Sequence, residues 1–123
     1  MVERVNAERA KVGAPALEVD DNLMAFAQYW ATRMTDNQRH SDIDDLKSFA
    51  TSNNINVDII RGGENIVWGG NSLTAESATN CMTSLLNSEG HRATMLKPDY
   101  TRIGVGFASD NNGRLYCCQR FGR

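Results

Sequence analysis

The stretch DDNLMAFAQYWATRM (residues 20–34) narrows the choice of fold more than any other part of this sequence. Its apolar residues follow the i, i+3, i+4, i+7 spacing of one helical face. They are Leu23, Phe26, Ala27, Trp30, Ala31 and Met34. Asp20 or Asp21 precedes them and is suited to cap the start of a helix. The pattern predicts an amphipathic helix that buries this face.

A β-hairpin is predicted near the C-terminus, where apolar residues recur at every second position. The alternating residues are Ile103, Val105 and Phe107 before the turn SDNNG, and Leu115, Cys117, Gln119 and Phe121 after it. We therefore expect these two strands to pair antiparallel.

Further elements are predicted from breakers, caps and short apolar runs. The helices are residues 2–12, a third helix capped by Thr74, and a short last helix capped by Ser88 and ended by Pro98. The strands are residues 57–60 (VDII) and 65–68 (NIVW), and residues 35–54 read as a polar loop with one helical turn around residues 43–49. Helices mostly precede and separate the strands, which predicts a single α+β domain over residues 1–123, with an antiparallel sheet covered by helices.

Composition excludes several classes of protein. The net charge is −2 and the Lys and Arg residues are scattered, so the basic patch of a nucleic-acid-binding protein is missing. No apolar run approaches the roughly 20 residues of a membrane span. The sequence enters a helical pattern directly after Met1 without a leader. We expect either a cytosolic protein or a leader outside this chain.

The three cysteines leave two interpretations open. Cys81 could bridge to Cys117 or to Cys118, which would leave one thiol over. Alternatively, all three are small buried hydrophobic residues.

The candidate site consists of the two histidines and one carboxylate. His40 and His91 lie in polar segments, and Glu64 falls between them in sequence. Two imidazoles and a carboxylate are a sufficient ligand set for zinc, with a fourth position for water. They are also sufficient for general acid–base chemistry. No motif of a serine or cysteine nucleophile is present.

The pentapeptide GGENI (62–66) is interpreted as a structural clasp. Its glycines permit a kink, and the polar pair Glu64–Asn65 is expected to bond to loop backbone groups that would otherwise be buried without partners. Ser41 and Ser88 are interpreted as caps rather than nucleophiles, while Trp68 is either a cleft wall or part of the core.

Seven stretches of the sequence form a recognisable series: VNAERAKVGAPAL, DDNLMAFAQYWATRM, RHSD, GENI, NSEGHRATML, YTRIGVGF and LYCCQRFG. In this order they resemble the CAP superfamily (cysteine-rich secretory proteins, antigen 5 and pathogenesis-related proteins), most closely its short bacterial branch. The resemblance implies a three-layer α–β–α sandwich with a central antiparallel sheet and a cleft. By position it assigns His40, Glu64 and His91 to that cleft, where some family members bind zinc or another divalent cation.

The sequence departs from the fuller family pattern at the second acidic residue of the cleft. Ser88 stands where that glutamate would fall, and Leu85 replaces a tryptophan three residues earlier. The neighbouring Glu89 is the candidate substitute. The cleft set predicted from the resemblance is therefore His40, Glu64, Ser88, Glu89 and His91.

The function expected from residues and resemblance together is binding rather than catalysis. The leading hypothesis is a secreted or surface domain that binds a divalent metal, zinc above all, or a small ligand in the His/Glu cleft. One alternative is a metal-dependent hydrolase, peptidase-like, with Glu64 as general base. Another is a lipid or sterol carrier with an apolar groove in residues 43–60. Expected partners are a small molecule, a metal ion or an extracellular protein.

Overall fold

The computed structural model describes residues 1–70 and 75–123 of the chain. In these residues the helices are α1 (Val2–Lys11), α2 (Asp21–Met34), α3 (Ile43–Ser52), α4 (Ala75–Asn87) and α5 (Glu89–Leu96). The strands are β1 (Glu18–Val19), β2 (Gly62–Gly69), β3 (Arg102–Ser109) and β4 (Leu115–Gly122). The predicted α+β class is confirmed.

Helix α2 forms as its apolar spacing predicts. The side chain of Asp20 accepts a hydrogen bond from the backbone N–H of Leu23 and so caps the first turn. All six predicted face residues are buried, and Trp30 is 1% exposed. They pack with Phe49 of α3 and with Tyr116 and Cys118 of β4 in one apolar cluster. Helices α2 and α3 thus cover one face of the sheet, called here the first face.

The sheet has the strand order β1-β3-β4-β2. β3 pairs antiparallel with β4, which confirms the predicted hairpin, and β2 pairs antiparallel with the other side of β4. The two-residue β1, which sequence analysis missed, adds in parallel to β3. Every residue of β4 is buried because helices lie on both faces of this central strand. β2 forms one edge of the sheet.

Two glycines of β3 allow α2 to pack closely on the first face. A Cβ atom on Gly104 would lie 2.1 Å from the backbone carbonyl carbon of Leu23, and one on Gly106 would lie 2.4 Å from that of Ala27. Only glycine leaves space for this contact between a helix backbone and a strand backbone.

The opposite, second face of the sheet is covered by α1, α4 and α5. Their residues Val5, Met82, Leu85 and Met95 form one apolar cluster with Phe121 of β4. Helices therefore lie on both sides of the sheet, and the three-layer α–β–α arrangement is confirmed.

A buried arginine fixes α1 to the segment that follows α5. Arg9 is 0% exposed, and its guanidinium donates hydrogen bonds to the carbonyl oxygens of Pro15, Met95, Lys97 and Tyr100 at 2.7–3.0 Å. These four carbonyls replace the water that a buried cation would otherwise need.

Two predictions about residues 35–60 are wrong. The segment holds the ten-residue helix α3 rather than a single turn, because Asp42 and Asp45 form a reciprocal capping box at its start. Residues Val57–Ile59 form a 3₁₀-helix and not a strand, since the side chain of Asn56 caps the backbone N–H of Asp58.

The third predicted helix corresponds to α4, but its proposed cap Thr74 lies outside the described residues. α5 begins after Ser88 as predicted, although the Ser88 hydroxyl makes no capping hydrogen bond. None of the helices in residues 1–70 and 75–123 is long and apolar enough to span a membrane.

Candidate functional site

The carboxylate of Glu64 lies on the edge strand β2, directly opposite Arg120 of β4. Both side chains are only 5% exposed, and Arg120 Nη1 lies 3.3 Å from Glu64 Oε2. Two charges so far from water are stable only when they are paired and hydrogen-bonded. This ion pair is the centre of the candidate site.

Each oxygen of Glu64 has two donors or donor candidates. Oε1 accepts from the backbone N–H of Ser41 at 2.9 Å and lies 2.9 Å from His40 Nδ1. Oε2 accepts from the Ser41 hydroxyl and from Arg120. The carboxylate therefore holds the His40–Ser41 loop against the sheet. The interpretation of GGENI as a clasp agrees with these contacts.

Arg120 is the second half of the clasp, and sequence analysis did not identify it. Its Nε donates to the carbonyl oxygen of Ile60 at 2.8 Å, just before β2. Its guanidinium also lies over the ring of Phe26, 5.5 Å from the centroid. Its sequence signal was weak: one charged residue in an otherwise apolar strand, with nothing to indicate that Glu64 would face it.

The loop that carries His40 is positioned from its other side by Arg39. The guanidinium of Arg39 lies over the ring of Trp30 at 4.8 Å, and its two terminal nitrogens bond to the carboxylate of Asp45 at 2.8 and 3.2 Å. Trp30 Nε1 donates to the carbonyl oxygen of Arg39 at 3.0 Å. The hydrogen bond from Arg39 holds the pKa of Asp45 below its ordinary value. His40 thus lies between the Glu64–Arg120 pair and the Arg39–Asp45 pair, while 59% of its side chain is exposed.

His91 belongs to a separate group of polar contacts. Its Nδ1 lies 2.8 Å from the hydroxyl of Ser88, one helical turn earlier. The buried amide of Asn65 donates to the backbone carbonyl of His91 at 2.9 Å and to Oε1 of Gln119 at 3.1 Å. Asn65 thereby fixes α5 to β2, whereas the clasp interpretation predicted bonds to loop backbone groups.

The side chains of Glu64 and Asn65 point to opposite faces of the sheet. Glu64 and Asn65 are consecutive in β2, and consecutive side chains of a strand point to opposite faces. The side chains of Glu64 and Arg120 point to the first face, where the guanidinium of Arg120 lies over the ring of Phe26 in α2. Gln119, the partner of Asn65, meets the sulfur of Met82 in α4 on the second face.

The structure therefore brings His40 and Glu64 together but does not add His91 to them as a third ligand. Within residues 1–70 and 75–123, no group of three His, Cys, Asp or Glu side chains is arranged to hold a metal ion. The chemistry of Glu64 agrees with this result, because both of its oxygens already accept from protein donors. The three residues do not fit a zinc centre in which Glu64 is a ligand.

The two remaining predicted cleft residues have different surroundings. The Ser88 hydroxyl contacts the imidazole of His91, so its predicted capping role is replaced by a side-chain contact. Glu89 is exposed at the first position of α5. Neither residue joins the Glu64 group through a described hydrogen bond.

A cavity of about 440 Å³ lies elsewhere, between the end of β2 and α4. Its described walls include Trp68, Glu76, Asn80, Cys81 and Leu115. Trp68 is 43% exposed, which excludes the predicted core role, and the cavity it lines contains none of His40, Glu64 and His91.

Comparisons with known proteins agree with this architecture. The family model described as CAP, cysteine-rich secretory protein family, matches residues 2–121. The chain is 31% identical to the uncharacterized protein YkwD of Bacillus subtilis (strain 168) over 131 positions, 100% of this chain and 46% of that protein. It is also 31% identical to the membrane protein YlbC of the same strain, over 98% of this chain and 33% of that protein. The chain thus spans less than half the length of these two curated relatives.

Solved structures give the same result. An extracellular SCP-domain protein of Bacillus anthracis superposes with a TM-score of 0.69 at 25% identity, over 97% of this chain and 37% of that one. The CAP domain of enterococcal PrgA superposes with a TM-score of 0.70 at 20% identity, over 97% of this chain and 57% of that one. Because the family model covers nearly the whole sequence, the chain belongs to the cysteine-rich secretory protein (CAP) family.

Proposed function

We propose that this CAP domain acts outside the cell and binds a small polar ligand at the imidazole of His40. The observation that carries the proposal is an exposed imidazole held by a buried carboxylate: His40 is 59% exposed, and its Nδ1 lies 2.9 Å from the 5% exposed Glu64. The relative from Bacillus anthracis is described as extracellular, which supports the proposed location.

A carboxylate at Nδ1 determines what the other ring nitrogen does. In neutral imidazole the proton favours the nitrogen that faces a carboxylate, so Nε2 is left with its lone pair. Within the described part of the chain, no hydrogen bond to His40 Nε2 is formed. The proposed ligand therefore presents a hydroxyl or amide N–H group, which donates to Nε2.

Binding is favoured over hydrolysis by the contacts of Glu64. A general base needs an accessible carboxylate within reach of the proton it removes. Both oxygens of Glu64 already accept from the loop and from Arg120, and the side chain is nearly buried. The lipid alternative is less favoured, because Leu46, Phe49 and Ile60 of the 43–60 segment are buried in the core and so do not line an open groove.

The first test is a thermal-shift screen of small polyols, amides and sugars against the wild type and His40→Ala. A ligand at 100 times its Kd stabilises the native state by about 2.7 kcal/mol. We expect at least one compound to raise Tm in the wild type and in His91→Ala, the matched control in α5, but not in His40→Ala. Hits that raise Tm equally in His40→Ala, or a screen without hits, would refute the proposal.

A zinc ion held by imidazole alone is the second candidate. It is favoured because His40 and His91 each have Nδ1 occupied by a neighbouring side chain, which leaves Nε2 for a ligand. Calorimetric titration of zinc into metal-free protein decides between the candidates. One-to-one binding that both His40→Ala and His91→Ala abolish would support zinc, whereas binding that survives either substitution would exclude it.

The proposed location has its own test, which does not depend on the ligand. Protease added to intact cells of the source organism should degrade the domain, or the domain should be found in the medium. Full protection in intact cells, with degradation after lysis, would refute an extracellular location.

A further inference from the structure

Two of the three cysteines meet between α4 and β4. Cys81 and Cys117 lie in one apolar cluster with Leu115, and interaction between the two thiols lowers the pKa of Cys81 and raises the pKa of Cys117. Both thiols are free in this structure. α4 packs directly on β4, so the contact joins two elements that are distant in sequence.

Cys118 is excluded from this contact by strand geometry. It follows Cys117 in β4 and therefore points to the first face, where it packs with residues of α2. It is 0% exposed. Burial, and after it the charge of Glu64, raises the pKa of the Cys118 thiol well above its ordinary value. This thiol is the least reactive type, a neutral sulfur in an apolar core.

Cys81 is the more accessible member of the pair. It forms part of the wall of the 440 Å³ cavity and is 8% exposed, whereas Cys117 is 0% exposed. The hydrogen bond from Cys117 lowers the pKa of Cys81, while the same contact and burial raise the pKa of Cys117. The attacking and the resolving thiol are thereby distinguished.

We propose that Cys81 and Cys117 are an oxidation site that forms a disulfide with a small-molecule disulfide as the oxidant. The Cys81 thiolate attacks one sulfur of the oxidant, forms a mixed disulfide and releases one thiol. The Cys117 thiolate then attacks Sγ of Cys81 and releases the second thiol. The protein loses two protons and two electrons, and the electrons and protons together convert the oxidant to two thiols.

The biological use of this site rests on the proposed extracellular location, because disulfides persist in oxidising compartments. The chemistry itself does not. A test on purified protein therefore separates failure of the disulfide proposal from failure of the proposed function.

The experiment treats the reduced full chain with excess glutathione disulfide, blocks remaining thiols by alkylation under denaturing conditions, and measures intact mass. The wild type has three cysteines and should retain one alkylated thiol. Cys118→Ala should retain none. Cys117→Ala should trap glutathione on Cys81, because the resolving thiol is missing. Cys81→Ala should form neither an internal disulfide nor a glutathione adduct.

Tryptic mapping alone does not separate the two possible bridges, because Cys117 and Cys118 fall on the same peptide between Arg114 and Arg120. The Cys118→Ala variant resolves this ambiguity. A bridge that is lost in Cys118→Ala, or three alkylated thiols in the treated wild type, would overturn the proposal. If an alanine variant fails to fold by circular dichroism, fragmentation of the cross-linked wild-type peptide decides which sulfur is bonded.

Discussion

Removal of the Glu64 charge is the perturbation that most directly tests the clasp. Glu64→Gln keeps the size of the side chain but leaves the guanidinium of Arg120, which is 5% exposed, without its counter-ion. Breaking a buried ion pair by removing one partner costs about 3–5 kcal/mol. The total stability of a domain is about 5–15 kcal/mol, so this variant should be close to unfolding.

The reverse substitution should cost less. In Arg120→Met the carboxylate of Glu64 keeps the Ser41 backbone and hydroxyl donors and the neighbouring His40. The double variant Glu64→Gln/Arg120→Met removes both charges, so no buried charge is left without a partner. Its loss of stability should therefore fall short of the sum of the single losses, with a coupling of about 0.5–3 kcal/mol.

Urea unfolding followed by tryptophan fluorescence gives all four free energies of this cycle. Glu8→Gln is the matched control: Glu8 pairs with Lys11 at 3.0 Å, but the side chains are 32% and 69% exposed, so its loss should stay below about 1 kcal/mol. If Glu64→Gln loses no more than this control, or if the two single losses add fully, the pair does not clasp the loop and the reasoning fails.

Two further predictions concern acid stability and packing. Because the pKa of Asp45 is lowered in the fold by Arg39, Asp45 stabilises the protein above the unfolded pKa of about 3.9, and this contribution is lost as pH falls through the folded value. The stability difference between the wild type and Asp45→Asn, measured by urea unfolding, should therefore shrink below about pH 4; a constant difference would contradict this linkage. Gly106→Ala should lose about 1–3 kcal/mol or more, because the new Cβ would lie 2.4 Å from the backbone of Ala27. Gly90→Ala, which meets open space in α5, should leave Tm unchanged or slightly higher, and equal Tm values for the two glycine variants would show that the close contact is absent.

Sequence periodicity was sufficient to predict those elements whose apolar side chains all pack on one side. The α2 face and the β3–β4 hairpin were predicted residue by residue because burial imposes a repeat on each of them. α3 was underestimated because its surface is polar. Its capping box, Asp42 with Asp45, was nevertheless present in the sequence as a local signal.

The site was predictable only as a set of positions. Resemblance placed His40, Glu64 and His91 in a cleft, and in the structure His40 Nδ1 lies 2.9 Å from Glu64 Oε1. The resemblance did not reveal Arg120, because the pairing of β2 with β4 joins residues 56 positions apart in sequence. Such pairings are fixed by tertiary packing and by alternation between faces, which a single sequence does not specify. The same alternation directs Asn65, which bonds to the backbone carbonyl of His91, away from Glu64.

The position of β4 in the sheet also determines when the domain can fold. β4 follows the other three strands in sequence, yet it lies between β3 and β2 in the sheet. In the described residues, β4 is the strand with which β2 pairs. At about 5–20 residues per second, a ribosome needs roughly 3–11 s to make the segment from Glu64 to Arg120. We expect β2 of the nascent chain to stay unpaired over this interval. Chains released before Leu115 should show no protected amide hydrogens in β2, and protection there would show that this edge orders without its partner.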